Sequence, residues 1–546
     1  MTRLSPQAAA LLRSLQQTSG GVGRLFGRRL DPAALSVLEE LGELRLAPLL
    51  LPFVIEGDAV TRTRVGAMVR SLMRFIPSAA MFALDEEFRS ISGYADANIS
   101  DWYSLTPGHV RQLSLAPDAT VLLGLASFHP DGYVRESAVA ALDSRGNDES
   151  LPYLLVRLND WVTPVAERAR SAVMRRVDDG ADAWVACLPL VARLRDTTRR
   201  DHAEVVDAVF ALLRQPSNRA ALDAGCASSD RTTRRLCYRL AWEGAGSDLA
   251  SVLTRGLRNN DPIVRFEALR TASERLDDAS LAPLLDVAAM DAFMPVRRET
   301  LLIGADRFPG TALHRAKRAL LDPSPSIREL ARYIVGKHDA RFDSASAYRV
   351  LLGGVDDTSI AVALAGLGET GSASDSVLVS PFLAHARIPV RAQAVQTLGR
   401  LSADTHGDAF VRALSDASPR VAHAARDVLL RNPSLIDYQT IVATMRSAPH
   451  VHSRRDAMRL GEALGKWPGL MLWLEAAASD ELALAEEARE RIGRWIQRAN
   501  RRSTAPSQAE IEGIQKLLRH DVSSVTPAMR DEIRSFLRPW SGETRG

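Results

Sequence analysis

The sequence predicts an all-α fold: a right-handed α-α superhelix, a solenoid of stacked helical hairpins. Three observations carry this reading. A motif returns about every 31 residues, each period holds two helical patterns, and Ala, Leu, Arg and Val dominate while aromatic residues make up only 5%.

The motif appears in Asp131-Gly-Tyr-Val134-Arg135-Glu-Ser-Ala138, Asp261-Pro-Ile-Val264-Arg265-Phe-Glu-Ala268 and Pro295-Val296-Arg297-Arg-Glu-Thr300. It returns in Pro325-Ser-Ile327-Arg328-Glu-Leu-Ala331 and Ile388-Pro389-Val390-Arg391-Ala-Gln-Ala394. Each copy reads turn residues, a β-branched residue, an arginine and then a small residue three positions on. Degenerate copies stand at Pro164-Val165-Ala166, Thr233-Arg234, Ile360-Ala361 and Pro419-Arg420-Val421-Ala422. Counted at the arginine position, copies fall at 234, 265, 297, 328, 361, 391 and 422, with spacings of 31, 32, 31, 33, 30 and 31. Chance composition does not hold a period over that many copies.

The second helix of each hairpin follows the motif. From Val264 to Leu276, the residues Val264, Ala268 and Thr271/Ala272 share one face. The first helix precedes the motif, as in 280–290. Ser280, Asp248, Asp408 and Asp437 stand where an N-cap oxygen would accept orphan backbone N–H groups. Pro262, Pro295 and Pro389 lie at or just before the second helix, where a missing N–H costs little. Ala138, Ala268, Ala331, Ala394 and Ala425 are small enough to let neighbouring helices approach closely.

These features resemble HEAT repeats, in particular the short bacterial form with its Asp…Val-Arg signature. The resemblance is clear over residues 118–435 and weaker over 46–76 and 437–497. It implies about twelve repeats between 118 and 497, with a concave groove, lined by second helices, as the recognition surface. It also implies a ladder in which the turn Asp of one repeat and the Arg of a neighbour tie adjacent repeats together. Asp131 with Arg135, and Asp261 with Arg265, have the spacing for that role; a row of ligand-binding arginines is the other use of the same residues. Because one architecture hosts many unrelated tasks, the resemblance speaks to fold far more than to function.

Composition narrows the function classes. With 69 Lys+Arg against 66 Asp+Glu, the net charge of +3 gives no global reason to expect nucleic acid or acidic lipid as partner. At 46% hydrophobic and 25% charged residues, a mostly disordered chain is excluded. Apart from Lys317, Lys337, Lys466 and Lys516, every basic residue is arginine. GC-rich coding accounts for that bias; selection for forked guanidinium contacts is the functional alternative. Cys187, Cys226 and Cys237 form no C-x-x-C pair, which argues against a disulfide framework or thiolate zinc site and fits a reducing compartment. The apolar stretch Leu46 to Ile55 contains Pro48 and Pro52 and is too short to span a bilayer, while Met1 to Pro6 lacks the apolar core of a secretory signal. A soluble cytoplasmic protein with no membrane partner is the expectation.

Three regions follow. Residues 1–45 read as a helical cap: a helix from Pro6 to Gln17, a Gly-rich loop over 19–29 and a helix from Pro32. The loop has neither a preceding strand nor a Gly-Lys-Ser/Thr, so it is not a phosphate loop. Residues 46–498 form the solenoid, with an irregular insertion at about 78–117 carrying Trp102, Tyr103 and His109. Residues 499–546 form a linker and a cap, with helices at 508–519 and 526–537 covering an end that would otherwise expose apolar surface. The tail from Ser541 reads as disordered.

No nucleophile–base pair, carboxylate pair or metal-ligand set stands at usable spacing, so no catalytic, cofactor-binding or metal site is assigned. The absence of any His-Glu dipeptide removes the di-iron deoxyhypusine hydroxylases, and the H-E-x-x-H zinc pattern is missing too. Trp242 with Glu243, or Trp161 with Asp160, fits the lesion-holding pair of the HEAT-like alkyl-purine DNA glycosylases. Both tryptophans are read instead as buried packing residues. Bilin lyases share only the repeat.

The best surface feature is a basic-aromatic patch. Arg235, Arg239 and Trp242 fall at i, i+4 and i+7, away from the face of Leu236, Cys237 and Leu240. One period on lie Phe266 and Arg270, and a further period on lies Arg298. Such a patch suits a phosphate backbone, an acidic peptide or stacked bases. Glu267 and Glu299 interleave it, and Glu329 and Tyr333 end the stripe. The expected function is a non-enzymatic scaffold or adaptor that binds a protein partner and needs no cofactor. A nucleic-acid-binding solenoid built on this patch, extending to a repair glycosylase, is the alternative. Partner identity and oligomeric state stay open at this level.

Overall fold

A computed structural model describes residues 4–17, 31–89, 100–178, 180–354, 356–499, 504–519 and 525–540. Among them the regular elements are helices and no β-strand occurs. They fall into two compact units, Met1–Leu284 and Leu285–Gly546.

Each unit is a run of helical hairpins of the HEAT type. In the first, Ala119–Ala126 packs on Gly132–Arg145, Leu151–Arg157 on Thr163–Arg175, Arg219–Cys226 on Arg231–Glu243 and Leu249–Leu257 on Pro262–Arg275. In the second, Pro309–Ala319 pairs with Pro325–His338, Ser344–Leu351 with Asp357–Thr370, Gly407–Leu414 with Pro419–Arg431 and Lys466–Ala477 with Leu482–Arg498. The weakly matching stretch after residue 46 is also a hairpin, Leu46–Glu56 with Ala59–Met73. Pro6–Gln17, Pro32–Leu41, Gln508–Arg519 and Pro527–Leu537 form at the expected ends. The loop over 19–29 and the tail from Ser541 lie outside the described residues.

The five repeat alanines, Ala138, Ala268, Ala331, Ala394 and Ala425, are all fully buried. Close approach is visible at Gly399 on Ile388–Leu401, where an added Cβ would sit 2.5 Å from Val428 Cγ2 on the next second helix. Successive hairpins thereby merge into continuous apolar cores, and each repeat depends on its neighbours to cover it. Prolines occupy the first turn of second helices as expected, at Pro262, Pro295 and Pro389. The first-helix caps differ in part. Asp437 does cap Tyr438–Ser447, accepting from Thr440 N at 2.8 Å, but Asp277, not Ser280, caps the helix Asp278–Ala288. Asp408 lies inside the first turn of its helix and Asp248 makes no capping bond, because short 3₁₀ turns precede both helices.

The repeated Asp and Arg form the ladder, with a definite division of labour. Nη1 of Arg135, Arg234, Arg265, Arg297, Arg328 and Arg391 donates to two carbonyls of its own inter-helix turn, five and six residues back. Those carbonyls lie in the turn, beyond the last residue of the first helix, and have no partner within that helix. The remaining nitrogens fork to the carboxylate in the following repeat: Arg135 to Asp160, Arg297 to Asp322 and Arg391 to Asp416, at 2.7–2.9 Å. That carboxylate also accepts from the backbone N–H two residues on, of Val162, Ser324 and Ser418 respectively, closing the turn that leads into its own second helix. Arg234 reaches Asp261 in the same way, and Arg328 takes Glu369 instead.

Two outcomes follow. Asp322→Ala removes a fork and the turn-closing bond from Ser324 N together and strands Arg297; it should cost about 2–4 kcal/mol in urea unfolding. Arg270→Ala, on the solvated face, should stay within about 0.5 kcal/mol. The acid limb of stability follows from the carboxylates. Hydrogen bonds from Arg455, Arg459 and Arg491 outweigh burial and hold Glu487 at about 2, and Asp261 and Asp416 also lie below the ordinary range. A depressed folded value stabilises above the unfolded value near ~4 and is lost as pH falls through the folded one. The melting temperature should be level between about pH 7 and 5 and fall steadily from about pH 4.5 to 2; a level profile down to pH 2 would contradict this.

Candidate binding cleft at Trp161

One rung of the ladder is elaborated. The turn between Leu151–Arg157 and Thr163–Arg175 carries Asp160, whose carboxylate is fully enclosed. Its Oδ2 accepts from Arg135 Nε at 2.8 Å and Arg157 Nη1 at 2.9 Å, and its Oδ1 accepts from Arg135 Nη2 at 2.8 Å. The irregular insertion supplies the rest. Its helix Met81–Arg89 brings Asp85, which pairs with Arg157 and is forked by Arg89 through Nε and Nη2, both at 2.9 Å. Arg89 also lies 3.5 Å from Asp160. Three guanidiniums thus face two carboxylates in a nearly dry knot, leaving one positive charge in excess. Further along the insertion, Trp102 is buried under His129, with ring centres 4.9 Å apart, so this segment is packed onto the stack.

Burial, then the charge of Arg157, push the Arg89 guanidinium down to about 10. For Asp160, burial alone would raise the carboxyl, but the hydrogen bond from Arg135 and the charge of Arg157 outweigh it and hold it below its usual value.

Trp161 covers this knot. The guanidinium carbons of Arg89 and Arg135 lie 4.2 and 4.5 Å from its ring centre, and that of Arg199 lies at 5.9 Å. The side chain was expected in the core, yet the residue is 53% exposed. It follows Asp160 directly, on the outer side of the turn, and cations occupy its inner flank where apolar atoms would otherwise pack. It forms one wall of an open cleft of about 880 Å³, whose other walls include Phe82, Glu86, Arg193, Asp196 and Arg199. Among the described residues, Arg193 and Arg199 have no carboxylate partner, and Glu86 and Asp196 have no basic one. Asp160 has no free lone pair facing this space, so it is not placed to act on a base held by Trp161.

The patch expected from sequence is only partly assembled. Arg235 forks Asp261 at 2.9 and 3.0 Å, and Arg239 binds Glu267, with Nε at 2.9 Å from Oε2. Phe266 is half-buried, and Arg270 is exposed, 3.7 Å from Glu274. Trp242 is 3% exposed and does not share this surface: it packs beside Tyr238, ring centres 5.8 Å apart, and against Gly256 of the next first helix, which covers the end of Arg231–Glu243. Arg298 is exposed in the second unit. The three cysteines are buried and free, each with its thiol pushed up by burial to about 12. Among the described residues no group of acidic, His and Cys side chains is placed to hold a metal ion, and no single helix is long and apolar enough to cross a membrane.

No family model and no curated protein matches the sequence. Among solved structures the chain is similar to one from the structure of Kap95p with RanGDP, at 10% identity and a TM-score of 0.35, covering 91% of this chain and 66% of that one. It is also similar to a C-terminal fragment of the Chaetomium thermophilum cohesin loader SCC2, at 12% identity and 0.28, covering 93% and 43%. Importin β crystallised with ammonium sulfate gives 10% identity and 0.30, covering 97% and 80%. The chain spans less than two thirds of the first two.

The contrast between two tryptophans is measurable. Trp242→Ala should cost about 3–5 kcal/mol in urea unfolding, and Trp161→Ala no more than about 1–2 kcal/mol. Equal losses would contradict the placement of Trp161.

Proposed function

We propose that the chain is a non-enzymatic, cytoplasmic scaffold or adaptor that binds a protein partner. Residues 46–498 serve as the recognition array, and 1–45 and 499–546 as its caps. The observation that carries this reading is the pairing of the second-helix arginines: Arg235 with Asp261, Arg239 with Glu267 and Arg270 with Glu274. Mutually paired charge offers donors and acceptors of both signs, which suits the mixed polar rim of a protein partner. A phosphate backbone calls for unopposed cations along its track. The Trp161 cleft adds an exposed Trp flanked by Arg, the residue types that dominate interface energetics.

Binding of nucleic acid is the second reading, and it rests on Arg270, whose side chain is exposed. Affinity purification of the full chain from its native cell, with and without nuclease, separates the two. Protein partners should survive nuclease treatment; recovery that vanishes with nuclease would overturn the adaptor reading. Reversal of Arg239 and Arg270 to Glu should leave affinity for DNA and RNA unchanged, measured by fluorescence anisotropy. A steep loss would favour nucleic acid.

A further inference from the structure

We infer that the Trp161 cleft is a peptide-binding site: it takes an extended segment of a partner protein that carries one Asp or Glu side chain beside an apolar one. The inference rests on the adaptor reading and gives it an anchor.

The charge balance argues for the acidic side chain. The knot beneath the cleft holds Arg89, Arg135 and Arg157 against Asp85 and Asp160, and an unbalanced buried cation is stabilised by an added anion. Arg89 spends Nε and Nη2 on Asp85, and its Nη1 has no partner among the described residues. Arg199, exposed and without a carboxylate, approaches the same indole. One carboxylate seated between Arg89 and Arg199 would use donors that the fold leaves unspent. Such charge-assisted bonds are among the stronger polar contacts.

The cleft walls argue for a peptide over a polyanion. Glu86 and Asp196 line the same space, both exposed and both without a basic partner. A phosphodiester chain would bring a charge at every unit and be repelled by both. A peptide brings backbone N–H donors, which these carboxylates accept. The exposed face of Trp161, together with Phe82, then offers the apolar contact that fixes the neighbouring side chain. Arg193 stays available at 5.6 Å from the Phe82 ring centre.

The test uses the purified full chain and an immobilised random peptide library with blocked termini, so that only side chains carry charge. Wild type should enrich peptides with Asp or Glu next to an aromatic or aliphatic residue. Arg199→Glu should weaken the enriched peptide by about tenfold or more, and Trp161→Ala should abolish the apolar preference. Arg412→Glu, exposed and outside the cleft, should bind as wild type. Thermal unfolding by circular dichroism shows that each variant is folded. No acidic enrichment by wild type, or the same enrichment by Arg199→Glu, would overturn the inference. So would displacement of the peptide by a thymidine decamer at equal charge concentration, which would mark a polyanion site. If the library result is negative while nuclease-resistant partners are still captured equally by wild type and Arg199→Glu, this cleft fails and the adaptor reading stands.

Discussion

The fold depends on a single clamp: an arginine at the start of a second helix that satisfies the carbonyls of its own inter-helix turn and the carboxylate in the turn of the next repeat. Turn residues between two helices have backbone carbonyls that neither helix satisfies. Solvent supplies partners at an open end, but in a stack the inter-helix turns crowd together and water is partly excluded. The guanidinium solves this because its planar fork carries five donors in fixed directions. Arg297 shows the pattern in full, with Nη1 on Asp291 and Ala292 carbonyls and the opposite edge on Asp322. Apolar packing drives the repeats together, and the clamp fixes which turn meets which.

The Trp161 cleft is an extension of that same clamp. At Asp322 and Asp416 one arginine meets one carboxylate. At Asp160 the insertion adds a helix whose Asp85 and Arg89 enlarge the pair into a knot of five charges, and the residue after Asp160 is an indole. The structural element and the candidate site share atoms: Arg135 ties two repeats together and also lies under the Trp161 ring. This economy explains why the site sits at the edge formed by the turns, away from the second-helix face.

The ladder was legible in the sequence because it obeys the period. Arg135, Arg297 and Arg391 each stand at the motif position, and Asp and Pro mark the turns around them. The partner assignment was not legible: spacing put Asp131 beside Arg135, whereas that arginine reaches forward to Asp160, since the turn carboxylate faces the preceding repeat. Trp161 was visible as a neighbour of Asp160, but its exposure depends on Arg89, which comes from a helix outside the repeat and leaves no periodic trace. Trp242 follows the helical wheel correctly within its own helix. Its burial comes from Leu249–Leu257, which packs over the helix end, and a single-helix projection contains no information about that cover.

At Arg135, Arg297 and Arg391 the clamp reaches only as far as the adjoining turn, and the carboxylate there closes its own turn while receiving the arginine before it. One period therefore arrives with a complete donor and a complete acceptor. Duplicating a hairpin lengthens the array without requiring a compensating change anywhere else, and deleting one rejoins compatible ends. The architecture is in this sense a grammar with local agreement, in which length is free to drift over evolutionary time while the joint between successive units is not.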